Sequence, residues 1–315
     1  MAESVQTGSA RGLPEIARSS ELVRATQVAH DTEVRQSPNG VRFATFGETG
    51  VADLDLDRML QAVPSAIVAA LKANTYYFVP LALRESNEST EDLTSGVTAR
   101  AKDPAMVASA YTDEFSDAAI CHRNVELGHG KRGVFISTRL MGDRFALSFE
   151  FFINVAHAFV DQAGVPQAFS ELVWNQALDN VRGETSMDAW ESRNLAFGRP
   201  ANAQPDPSPP AARRNRNFGT GFSAKNRSFT APATQPVATS AIDEKERAAY
   251  LEAAFSDAVA IYLLSVALDL DYSELREREY PLLAPAALAA RLKLVAELFP
   301  PNPTYEFAVK YRRRA

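Results

Sequence analysis

The chain has 315 residues, of which 46% are hydrophobic and 23% charged, a balance that suits a folded globular protein and excludes wholesale disorder. A net charge of −6 disfavours nucleic acid as the main partner, because proteins that coat DNA or RNA are usually basic. The single cysteine, Cys121, excludes an internal disulfide framework and a thiolate-rich zinc site, and the only imidazoles are those of His30, His122, His129 and His157.

Residues 1–30 are polar and are expected to be loosely ordered, with no apolar run of the kind a signal peptide needs. A hairpin is predicted next, 32–36 and 41–46 around Ser37-Pro38-Asn39-Gly40, because Asn-Gly tolerates positive φ. From Asp53 the period becomes helical through Leu56, Met59, Leu60, Val63, Ile67 and Leu71, with Pro64 kinking the segment or opening a second short helix. Residues 76–83 are aromatic and β-branched and read as a strand, 84–104 as a polar loop, and 105–115 as a helix. A second hairpin is predicted from 118–127 and 133–140 around Gly128-His129-Gly130-Lys131-Arg132.

The run that follows has Phe145, Leu147, Phe149, Phe151, Ile153 and Val155 at alternate positions, which predicts a strand with that set in the core. The rival is a helix with Glu150, Asn154, His157 and Asp161 on one polar stripe; the strand is preferred because β-formers fill every odd position. Helices are predicted over 166–181 and, shorter and more polar, over 183–193, then over 242–268 and 284–299. The most apolar stretch, 258–268, is about half the length needed to cross a bilayer and reads as a buried helix face, so the expectation is a soluble cytoplasmic protein with no membrane partner. Residues 199–241 hold seven prolines and six basic residues against one acidic residue, Asp206, and are expected to form a disordered basic tether. The Arg and Phe interleaved there would suit single-stranded nucleic acid, but the acidic whole favours a tether.

The expected fold is α+β: an antiparallel sheet with helices packed on one face (31–198), the linker (199–241), and a small helical C-terminal segment (242–315). The helices of that segment read as core, or as a surface for another subunit.

Hydrolase, P-loop, dinucleotide and zinc-protease motifs are absent. Gly128-His129-Gly130-Lys131 lies between strands and reads as a turn, not a phosphate loop. Cys121 and His122 are neighbours on a strand and face opposite ways, so Cys121 reads as a small core residue, His122 as an exposed one, and no metal site is expected. His157 is placed at the end of the predicted strand, four residues before Asp161 and ahead of a helix, where a neutral imidazole could take a proton from an acceptor; the plainer alternative is a strand-ending histidine bonded to backbone.

The segment 142–161 followed by Phe169-Ser-Glu-Leu172 resembles the active-site hairpin of the CoA-dependent acyltransferase superfamily, in which a long strand ends in H-x-x-x-D-G and a helix follows. The resemblance covers about 40 residues, and Gln162 stands where that superfamily has glycine. It implies that His157 is the general base on a small-molecule acceptor, that Asp161 holds the loop through an ion pair, and that a CoA thioester is the acyl donor. The other class left open is a non-catalytic binding or assembly protein, with the sheet as scaffold, the helical tail docking a protein partner, and homo-oligomers allowed.

Overall fold

The computed structural model describes residues 21–84, 105–140, 142–203, 242–268 and 280–309. The loop expected at 84–104 thus lies almost entirely outside the described residues, and the tether expected at 199–241 is described only to residue 203. Two compact units emerge. The first comprises residues up to Ser37, Val41–Leu56 and Ala73–Glu150; the second comprises Pro38–Gly40, Asp57–Lys72 and everything from Phe151.

The first unit carries two sheets. Strands β1 (Leu22–Arg24), β2 (Arg35–Gln36), β3 (Arg42–Thr45), β4 (Asn74–Val79), β5 (Leu81–Leu83), β6 (Met106–Ala108), β7 (Ala119–Ile120), β8 (His122–Gly128) and β9 (Lys131–Ser137) sort into a five-stranded sheet, order β2-β3-β4-β9-β8, and a four-stranded one, order β1-β6-β5-β7. The class is α+β. The small sheet is antiparallel throughout, as are both outer pairs of the large one, but its centre is parallel: β3 pairs with β4 and β4 with β9. The parallel centre explains the composition of β4. A strand covered on both faces reads as an unbroken apolar run rather than as alternation, and all six residues of Asn-Thr-Tyr-Tyr-Phe-Val are buried. Pro80 follows it, and β5 then enters the small sheet.

Both predicted hairpins form. Gly40 takes φ 100° in the first, and Gly128, His129 and Gly130 all have positive φ in the second. Helix α1 (Ala25–Asp31) sets Ala25 and Val28 against Ala44, Tyr77, Val79 and Phe135, and the registered pair Tyr77–Phe135 stacks at 4.6 Å between centroids. Residues 22–31 are therefore ordered where a loose terminus is expected, because Val28 and Ala25 supply one apolar side of a single helical turn pair; residues 1–20 lie outside the described residues. The helix expected over 105–115 is replaced by β6 and a 3₁₀ turn over Asp113–Ala118, since β6 completes the small sheet between β1 and β5.

The principal correction concerns α4 (Arg144–Ala163), a helix of 20 residues where a strand is expected. Asp143 opens it, its Oδ1 accepting from the Ala146 amide at 2.7 Å. Leu147, Phe151, Phe152, Val155, Phe159 and Val160 are buried, which is helical spacing, whereas Phe145 and Phe149, core residues of the strand reading, are exposed at 41% and 40%. Alternation over 145–155 is thus the by-product of a segment apolar almost all round.

The second unit is helical. Helix α2 (Asp53–Gln61), whose first residues to Leu56 belong to the first unit, α3 (Ser65–Val68), α5 (Gln167–Leu178), α6 (Met187–Ala196), α7 (Glu244–Ala267) and α8 (Pro285–Leu298) follow the predicted order, and Pro64 separates α2 from α3 as expected. Two asparagines satisfy the carbonyls orphaned at that break: Asn39 Nδ2 donates to Leu60 and Val63, and Asn302 Nδ2 to Gln61 and Val63. Helix α7 packs against α5, α6 and α8 and buries residues on every side, including Phe255, which meets Phe159, Phe169 and Phe299. It is core. It is also the one helix among the described residues long and apolar enough to cross a membrane, with two thirds of its apolar window buried.

Candidate functional site

His157 and Asp161 lie one turn apart in the second half of α4, both exposed. The spacing that placed a base at the end of a strand places it within a helix instead, and the loop that Asp161 was expected to hold is helical at that point. Gln162, at the position of the superfamily glycine, continues the helix to Ala163, and Gly164 then takes φ 70° at its end.

The other histidines differ. His30 bonds its neighbour Asp31 and is exposed, and His129 occupies the β8–β9 turn. His122, on β8, is engaged by a neighbouring element: its Nδ1 lies 2.6 Å from Glu150 Oε1 on α4, the pair being 36% and 15% exposed. A carboxylate on Nδ1 favours the tautomer that leaves Nε2 as the acceptor. Cys121 is exposed, contrary to the core expectation, because it sits in the bend between β7 and β8 and not within a strand. Partial burial, with the Glu150 carboxylate adding to it, holds its thiol above the usual range and so favours the unreactive protonated form. No group of three His, Cys, Asp or Glu side chains that could hold a metal occurs among the described residues.

A buried polar constellation among the described residues lies in the second unit and involves no residue singled out by motif. Glu184 is fully buried on the segment before α6. Its Oε1 accepts from Arg193 at 3.0 Å and Tyr250 at 2.6 Å, and its Oε2 accepts from Arg291 at 2.9 Å. Arg291, also fully buried, donates Nε to Gln176 at 2.8 Å. Burial opposes its charge, but Glu184 and Tyr250 outweigh that and hold the guanidinium above its ordinary range. Burial pushes the Tyr250 hydroxyl well above the usual phenol range, with Glu184 adding to it, so Tyr250 donates. One carboxylate thus ties α6, α7 and α8 together through two arginines and a tyrosine.

The backbone needed for this is specific. The segment at Glu184 runs parallel to that at Leu282, with bonds from the Glu184 amide to Pro281 and from the Leu283 amide to Glu184. Gly183 has φ 77°, and any Cβ there would collide with the Leu282 carbonyl.

Asp257 of α7 sits beside this knot and is only partly exposed. Thr185 Oγ1 donates to its Oδ2 at 2.8 Å, and Ser186, the N-cap of α6, bonds it too. Burial lifts its carboxyl to about 6, with a further push from Glu184; the Thr185 and Ser186 hydroxyls and Arg291 act the other way without cancelling it. The Tyr280 hydroxyl, which donates to the Thr185 carbonyl at 3.3 Å, is raised by burial and by Asp257. Sequence reasoning passed over both acids. The available signal was a lone Asp on the largely apolar stretch 253–267 of α7 and a Gly-Glu pair at a helix entry; neither spacing marks a motif, because the partners come from segments about 70 to 110 residues apart.

The first unit has a different concentration of features. The first turns of α2 and α4 are joined by the ion pair Asp55–Arg144 at 3.1 Å, and around it Leu54, Phe145 and Phe149 are exposed, Leu54 at 80%. Compared with protein-family models, with curated proteins and with solved structures, the chain matches nothing.

Proposed function

We propose that this chain is a non-catalytic assembly protein, in which the sheet unit is a scaffold and the face formed by Leu54, Phe145 and Phe149 seats a second copy of the chain. The observation that carries the reading is that face. Isolated exposed apolar residues are ordinary, but here two exposed phenylalanines stand one turn apart on α4, and an exposed leucine neighbours the aspartate that pairs with Arg144 at the start of that helix; aromatic anchors bordering an arginine are what interface centres are made of. The ion pair at its margin is internally neutral, so a second copy can approach without opposing like charge. The helical tail has less claim to the docking role first expected of it, because α7 spends its surface on its own unit.

The acyl-transfer reading draws less support. A general base acts on a positioned acceptor away from bulk water, and an imidazole on an exposed helical face lacks that setting. The test of the assembly reading is sedimentation velocity at micromolar concentration. A dimer or larger species is expected for the native chain and a monomer for Phe145→Ser/Phe149→Ser with unchanged circular dichroism. A native chain that sediments as a monomer across the range refutes it.

A further inference from the structure

We propose that the carboxyl edge of the parallel strands in the first unit binds the oxyanion group of a small molecule, a carboxylate or a phosphate, on the Arg139 guanidinium. This stands apart from the assembly reading and uses other residues.

Strands β3, β4 and β9 are parallel neighbours, so their carboxyl ends share one edge. In sheets with parallel strands that edge is where ligands bind, because the loops leaving adjacent strands bring polar groups together there. Here the connections after β3 and β9 lead into α2 and α4, and their first residues are tied down in detail. The Phe46 amide donates to Phe78 at 3.0 Å, the Glu48 amide to Ser109 at 2.9 Å, and Thr138 Oγ1 to the Thr49 carbonyl at 2.8 Å. The Arg139 amide donates to Pro80 at 3.2 Å.

The side chain of Arg139 is fixed as well. Its Nε donates to the Glu48 carbonyl at 3.1 Å, and the guanidinium lies against the backbone of Gly50, which has φ 68°. A Cβ at Gly50 would come within 2.6 Å of Arg139 Cζ and within 2.8 and 2.9 Å of its two terminal nitrogens. The positive φ calls for glycine, and the missing Cβ leaves room for the guanidinium to lie close against the turn. Gly47, with φ 70°, serves the same loop by letting it pass over the Ser109 carbonyl.

An exposed arginine normally keeps its rotamer freedom unless something compensates for its loss. Among the described residues no carboxylate lies within ion-pair distance of Arg139, while the nearby Arg144 is matched by Asp55. What the fold presents is a held guanidinium with one N–H committed to a carbonyl and its terminal pair of nitrogens on an exposed residue. That fork matches two oxygens of a carboxylate or phosphate, and a lysine could not reproduce it.

The test is calorimetric titration of the full chain with inorganic phosphate and, separately, with succinate, ionic strength held constant with chloride, alongside the NMR shift of the Arg139 Nε–H. Saturable binding of phosphate with a shifted Nε–H marks a phosphorylated ligand, and the same behaviour with succinate marks a carboxylated one. Arg139→Lys, which keeps the charge but loses the fork, should weaken that binding at least about tenfold, the scale of one charge-assisted hydrogen bond. Gly50→Ala, which displaces the guanidinium without changing any charge, should weaken it similarly while circular dichroism stays native. The proposal is overturned if neither anion saturates above the chloride background, or if both variants bind as tightly as the native chain.

Discussion

Replacing Asp257 by asparagine tests whether the second unit holds a carboxyl group at a cost to its own stability. The carboxyl is raised from an ordinary 3.8 to about 6 in the folded chain, chiefly by burial. The linkage follows from where each state is protonated. Below about pH 4 the group is neutral whether the chain is folded or not, and it does not affect the equilibrium. As pH rises from there to about 6, the unfolded chain releases its proton while the folded chain keeps it, so folding takes up a proton and stability falls. Above about 6 both states are ionised and the loss is complete. A shift of about two pKa units at about 1.4 kcal/mol each makes that loss about 3 kcal/mol. Asparagine has no proton to lose and can still accept from Thr185. Asp257→Asn should therefore match the native chain near pH 4 and exceed it by up to about 3 kcal/mol near pH 8, with the difference developing between about pH 4 and 6. The comparison with the native chain removes the contributions of all other groups, including Glu184, Arg291 and Tyr280, which face Asp257 from the neighbouring segments. Urea unfolding followed by tryptophan fluorescence suits the measurement, because Trp174 and Trp190 are the chain's two tryptophans and both lie in the second unit. A variant less stable than the native chain by a constant amount at every pH would refute the reasoning, and would mean that Arg291 and the two hydroxyls favour the ionised form.

Glu184→Gln removes the only carboxylate among the described residues that is bonded to Arg193 and Arg291, leaving two buried cations without an ion-pair partner, and should cost about 3–5 kcal/mol; Glu184→Gln/Arg291→Gln should cost less than the sum of its parts, and additivity within experimental error in urea unfolding would show that the knot is not coupled. Excising 204–241 and rejoining the ends with a short Gly-Ser linker should leave the melting temperature within a few degrees, because the described ends already meet: the Asp243 amide bonds the Ala196 carbonyl, and Asn194 bonds those of Ala201 and Ala203. A large drop would place part of that segment in the packing. With acetyl-CoA and a panel of amines, alcohols and thiols, His157→Ala and His157→Gln should release free thiol at the native background rate, whereas a loss of about 10²-fold or more in a measured native activity would restore the acyl-transfer reading.

Turns and local breaks were legible in the sequence for reasons that act within a few residues. Gly40 and Gly128-His129-Gly130 supply positive φ, and Pro64 cannot continue a helix, so both hairpins and the α2–α3 break stand where chain chemistry puts them. The α+β class followed from the same local signals. Whether 144–163 was strand or helix did not, because a segment apolar on nearly every side carries both periods; burial of Phe152, Val155 and Phe159 in the helical unit, with Asp143 capping the first turn, decided it. That decision also moved His157 and Asp161 from the end of a strand to the surface of a helix. The parallel pairing of β3, β4 and β9 was beyond local reading too, since hydrogen bonds between strands leave no trace in the order of residues. The polar groups of greatest consequence, Glu184 with Arg193, Tyr250 and Arg291, and Arg139 over Gly50, are ordinary residues at unremarkable spacings. Only the tertiary structure brings them together, because a carboxylate acquires its role from the charges folded around it and a guanidinium from the backbone on which it lies.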